Sequence, residues 1–131
     1  MNEEEKTANQ LEIINSNNHE KIMELIERKG LYEKAELALI KRGNIKEIQA
    51  YILAWRLYPE VEVVFVNSCE TEEIETYIGK RDFREDAEIA FIEKGDTKSI
   101  MKYISSYALH NDSELALIKK SNTELNKSIY L

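Results

Sequence analysis

The sequence predicts an all-α fold, a right-handed α-solenoid of about five stacked antiparallel helix pairs, and three observations lead there. The hexad Ala35-Glu36-Leu37-Ala38-Leu39-Ile40 returns as Val61-Glu62-Val63-Val64-Phe65-Val66, as Ala87-Glu88-Ile89-Ala90-Phe91-Ile92 and as Ser113-Glu114-Leu115-Ala116-Leu117-Ile118, each copy 26 residues after the last. A fixed period of this length marks stacked repeats that cover one another's apolar faces. Within a period the apolar spacing is helical: Ile48, Tyr51, Ile52 and Trp55 fall at i, i+3, i+4 and i+7. The chain also carries one Pro and four Gly in 131 residues, so few positions force a break.

Residues 1–8 show no pattern and read as a disordered tail. The solenoid domain then spans 9–131. Its first repeat, 9–34, is a degenerate copy in which Asn9-Gln10-Leu11-Glu12-Ile13-Ile14 keeps the phase, as suits a terminal unit. The second, 35–60, is the clearest. Its short first helix runs to Arg42, Gly43 suits the left-handed position that ends it, and Asn44 with Glu47 forms a capping box for a second helix from Ile45 to about Arg56. Just before the third, 61–86, Pro59 stands at the expected start of that repeat's first helix, where its missing N–H costs nothing. Cys69-Glu70 is the poorest version of the turn there, and Thr71 is the expected cap. The fourth repeat, 87–112, turns at Gly95-Asp96. The fifth, 113–131, turns at Ser121-Asn122 and stops with Leu125, Ile129, Tyr130 and Leu131.

Two polar ladders follow the period. An acid occupies the second place of each first helix, at Glu36, Glu62, Glu88 and Glu114, with Gln10 in the degenerate copy. Stacking would align these acids as a stripe for a basic partner. The alternative is that a carboxylate simply favours the positive end of a helix dipole, and that explanation carries more weight because every repeat gains by it. The second ladder is Tyr51, Tyr77 and Tyr103, replaced by Leu25 and Ile129 at the ends. It reads as a core seam with each hydroxyl at the edge. Trp55 breaks its ladder, since Lys29, Arg81 and Tyr107 stand at the equivalent places. A tryptophan where charge is tolerated is a candidate anchor, against a packing role across the layer. Gln49, Glu75 and Met101 vary on the outer face of the second helices and complete the candidate binding set.

Composition narrows the partners. A net charge of −7 argues against nucleic acid and against an anionic membrane surface. The opening Met1-Asn2-Glu3-Glu4-Glu5-Lys6 lacks the order of a secretory signal, and a single cysteine is compatible with a reducing, cytoplasmic setting. Cys69 has no base placed beside it by any signature. His19 and His110 do not align with each other or with a metal-spaced cluster, and both are expected in solvent. Neither a metal nor another cofactor is expected.

The frame Ala-Glu-x-Ala-x-Ile-x-x-Gly-Asn followed by Glu-Ile-x-x-Tyr-Ile resembles a short bacterial two-helix tandem repeat. Over residues 9–131 it is similar, in the broad sense, to HEAT-like and armadillo-like α-solenoids. That resemblance implies a recognition surface for protein or peptide and carries over no catalytic residue. The leading expectation is a non-catalytic scaffold that binds a protein or peptide of basic character. A self-assembling spacer, dimerising end to end through its apolar C-terminus, is the second reading. An enzyme with its site on the concave face is the third.

Overall fold

The computed structural model describes residues 1–130, and the side chains of residues 1–123. Among the described residues there are nine helices and no strand: α1 (Glu3–Asn15), α2 (His19–Arg28), α3 (Glu33–Arg42), α4 (Ile45–Ala54), α5 (Pro59–Ser68), α6 (Thr71–Ile78), α7 (Glu85–Lys94), α8 (Thr97–Ile104) and α9 (Asn111–Tyr130). The chain divides into two compact units, Met1–Arg81 and Asp82–Leu131.

In the first unit the odd-numbered helices pack in one row, α1 on α3 and α3 on α5. The even-numbered ones form a second row, α2 on α4 and α4 on α6. Contacts of α1 with α2 and of α3 with α4 join the rows. A first helix in this arrangement touches neighbours on more than one side, which is why Ala35, Leu39 and Ile40 on α3 and Val61, Phe65 and Val66 on α5 are all buried. The second helices present a narrower stripe: Ile48, Tyr51 and Ile52 on α4, and Ile74, Tyr77 and Ile78 on α6. Leu31 and Leu57, which close the repeats, are buried with them.

The second unit packs α7 on α9. Its core holds Phe83, Ala87, Phe91, Ile92, Ile100 and Tyr103. Phe83, Phe91 and Tyr103 meet one another at centroid separations of 5.3–5.7 Å, the range favoured by tilted and offset aromatic pairs.

Several local expectations hold. Gly43 adopts φ +73° after α3, a left-handed conformation that costs glycine little. Asn18, Asn44 and Asp96 cap α2, α4 and α8 by accepting the backbone N–H three residues on. Pro59 is the first residue of α5.

Others do not. The chain is helical from Glu3, not from residue 9: Asn2 accepts the N–H of Glu5, and Glu3, Glu4 and Glu5 fill the first turn, where the helix dipole favours acid. Thr71 is the first residue of α6 and not its cap; Glu70 holds the cap position without a side-chain bond. Glu47 does not complete a capping box, because its carboxylate is engaged elsewhere. The turn at Ser121-Asn122 is absent, and α9 runs through it as one helix of 20 residues. Serine and asparagine do not compel a break, and Gly43, the strongest turn signal, has no counterpart there. The apolar end formed by Leu125, Ile129, Tyr130 and Leu131 lies outside the described side chains.

Candidate functional site

The acid ladder faces inward. Glu36, Glu62 and Glu88 are buried, and each accepts the hydroxyl of the tyrosine 15 residues later: Tyr51 to Glu36 and Tyr77 to Glu62, both at 2.5 Å, and Tyr103 to Glu88. Each tyrosine oxygen in turn accepts a backbone N–H from the loop before its own repeat, Leu31 to Tyr51 at 3.1 Å, Leu57 to Tyr77 at 3.2 Å and Phe83 to Tyr103 at 3.0 Å. The second carboxylate oxygen reaches the loop after the repeat: Glu36 accepts from Tyr58 N at 2.7 Å, and Glu88 accepts from His110 N at 2.8 Å. Tyr32, Tyr58 and Arg84 precede α3, α5 and α7 without giving a side-chain cap. The Glu–Tyr pairs therefore supply partners to loop N–H groups that would otherwise be buried at a cost.

This geometry corrects the expected negative stripe at Glu36, Glu62 and Glu88, and also the expectation that the tyrosine hydroxyls sit at the edge. Burial lifts all three tyrosines far above the usual phenol range, with the adjacent carboxylates adding to the shift. They are neutral donors at any ordinary pH. Glu114 differs, being exposed on α9.

His19 is exposed, as expected, and His110 is half-buried, and each lies against a buried carboxylate. His110 Nδ1 lies 3.0 Å from Glu88 Oε1, and His19 Nδ1 lies 2.7 Å from Glu47 Oε2. Glu47 itself is fully buried at the start of α4. It accepts from Arg42 Nε at 2.7 Å and from Arg42 Nη2 at 3.3 Å, while Arg42 Nη1 donates to Asn17 Oδ1 at 2.7 Å. A fork of this kind matches both oxygens of a carboxylate.

The remaining candidates are on the surface. Trp55 is 37% exposed, and one face of its ring lies against Gly30, where an added Cβ would come within 3.1 Å of Cε3. It is thus half anchored in the layer. Arg81, at the equivalent register position, instead closes the end of α4 by donating to the carbonyls of Ile52 and Trp55, and its guanidinium lies 5.0 Å from the Tyr77 ring centre. Gln49 is half-buried and donates to Glu72 at 3.4 Å, and Glu75 is half-buried on α6. Met101 is exposed beside a cavity of about 170 Å³ that Ile100, Ile104 and Leu117 also line.

One feature went unread in the sequence. A cleft of about 500 Å³ opens between the turn after α3 and the turn after α5, lined by Gly43, Ile45, Ser68, Cys69 and Glu73 among others. Glu73 is only 3% exposed, and its Oε2 has no hydrogen-bond partner. The available signal was a change of residue type within the register: where the second repeat has Arg42, the third has Ser68.

Among the described residues no group of three or more His, Cys, Asp and Glu side chains is placed to hold a metal ion, and no helix is long and apolar enough to cross a membrane. No protein family, curated protein or solved structure matches the chain. The functional reading rests on the geometry alone.

Proposed function

We propose that this chain is a non-catalytic interaction module, an α-solenoid of stacked helix pairs, that binds a protein or peptide of basic character. The observation that carries this reading is the division of labour among its polar groups. Those that repeat, Glu36, Glu62 and Glu88 with their tyrosines, are consumed inside the fold. The exposed groups of binding character do not repeat. Ile45, Leu53 and Trp55 lie within one layer and are all exposed large apolar residues, the kind that anchors interfaces. Acid in excess over base favours a basic partner and disfavours nucleic acid and anionic membranes as ligands.

A peptide array of matched basic and acidic sequences tests the proposal. Basic peptides should bind, and W55A should weaken the strongest of them roughly tenfold or more, the loss of an aromatic anchor. Equal or absent binding of the two peptide classes would defeat it.

A second reading, self-association through the C-terminal end, has its own supporting observation. Ile118 occupies the register position of the buried Ile40, Val66 and Ile92, yet it is 57% exposed, and Leu115 beside it is 64% exposed. Sedimentation across a range of concentrations tests it: a dimer that I118E converts to monomer supports the spacer, and a monomer throughout removes it.

A further inference from the structure

The 26-residue register sets Glu73 where Glu47 stands one layer earlier, and the two carboxylates have opposite surroundings. Around Glu47 three side chains close the site: Arg42 forks onto the carboxylate, His19 lies against Oε2 and Asn17 steadies the guanidinium. Around Glu73 the register replaces all three with smaller or apolar residues. Ser68 takes the place of Arg42, Ile45 that of His19 and Gly43 that of Asn17. Ser68 turns its hydroxyl back onto the Val64 carbonyl at 2.6 Å. The space left is the cleft of about 500 Å³, with Glu73 in its wall and one carboxylate oxygen without a partner.

We propose that this cleft takes the arginine side chain of a bound protein or peptide, whose guanidinium does at Glu73 what Arg42 does at Glu47. The proposal rests on the interaction-module reading and names the chemistry of one of its contacts. A carboxylate oxygen buried without a donor is costly, and an arriving guanidinium relieves that cost with a charge-assisted bond. The apolar part of the cleft, Ile45 with Ile48 and Val64, suits the methylene stem of an arginine. Lys41 and Glu70 also line it, so its wall carries charge of both signs. An ammonium lacks the planar fork, and lysine is the poorer ligand on that ground.

The test uses the full chain, isotopically labelled, titrated with N-acetyl-arginine N-methylamide and with the matching lysine and citrulline compounds, citrulline being the neutral isostere. The arginine compound should shift the amide signals of Gly43, Ser68 and Cys69 saturably. Citrulline, or the arginine compound on E73Q, should bind about tenfold more weakly or worse, the loss of a hydrogen bond to a charged group. S68R restores the register residue from within the chain; it should raise the melting temperature and abolish the shifts. Absence of saturable shifts overturns the proposal. So does citrulline that binds as well as arginine, or binding that survives both E73Q and S68R. Basic peptides that still bind both variants would leave the interaction module standing and sink the arginine site. Loss of all peptide binding, with the arginine compound still seated, would do the reverse.

Discussion

Tyr77 is held from both sides: its hydroxyl donates to Glu62 Oε2 at 2.5 Å, and its oxygen accepts the N–H of Leu57 at 3.2 Å. Neither partner has water to fall back on, since Glu62, Leu57 and Tyr77 are all buried. Replacing the hydroxyl with hydrogen would strand a donor and remove one bond from a carboxylate. Y77F should therefore lower stability by about 2–4 kcal/mol, more than a surface hydroxyl would, because stranded buried groups carry their full desolvation cost. Urea denaturation of Y77F, E62Q and the double variant measures it. The double variant should lose less than the sum of the two singles, as expected when two residues share one interaction.

The chain already contains the paired exchange. In the first repeat the tyrosine position is Leu25, and there the acid is Gln10, buried and accepting from Tyr32 N at 2.8 Å through its amide oxygen. A carboxylate without the hydroxyl would be a buried charge short of a donor. Q10E alone should cost about 1–3 kcal/mol, and L25Y in the same chain should recover a large part of it. Thermal melts of the two singles and the double decide the matter; equal stability of Q10E and the parent would refute the pairing rule.

The helical register was legible because burial follows it closely: Ile14, Ile40, Val66 and Ile92 hold one position and are all buried. The turn at Gly43 and the helix start at Pro59 were legible too, since each rests on the backbone geometry of one residue. The inward acids were not. Helical periodicity treats a carboxylate as surface, and nothing local to Glu36 announces a hydroxyl 15 residues away. The signal lay in a correlation across the first four repeats, acid with tyrosine and amide with leucine, which reading one repeat at a time misses. The Glu73 cleft was hidden for a related reason: it is made by what three positions lack relative to the layer before.

Trp55 and Gly30 test whether the one exposed tryptophan is anchored. An added methyl at Gly30 would meet the ring at 3.1–3.4 Å, closer than ordinary contact. Because the neighbour is one face of a half-exposed ring, the cheapest response is for Trp55 to swing outward. G30A should shift Trp55 emission to longer wavelength and increase its quenching by iodide. The loss of stability should be modest, about 1 kcal/mol, because the overpacking can relax toward solvent. Unchanged emission with a large loss of stability would mean that the ring cannot move, making Trp55 a packing residue and not a presented one.

His110 gives the fold a pH dependence whose sign is determined by its geometry. Its backbone N–H and its Nδ1 both meet Glu88 Oε1, at 2.8 and 3.0 Å. The hydrogen bond to Glu88 raises the imidazole above its usual range, against a smaller opposing effect of burial, and the charges of Glu88, Glu85 and Asp82 push the same way. A histidine raised on folding binds its proton more tightly in the native state. Its contribution is fully present below the unfolded value of about 6.5 and is lost as pH rises through the higher folded value. An NMR titration of the ring should place that folded value above the unperturbed one. Denaturation at about pH 6 and about pH 8.5 should show H110Q losing more stability, relative to the parent, at the lower pH. A gap that widens toward alkaline pH would show that the ring is bound neutral and that the Glu88 contact does not stabilise its charged form.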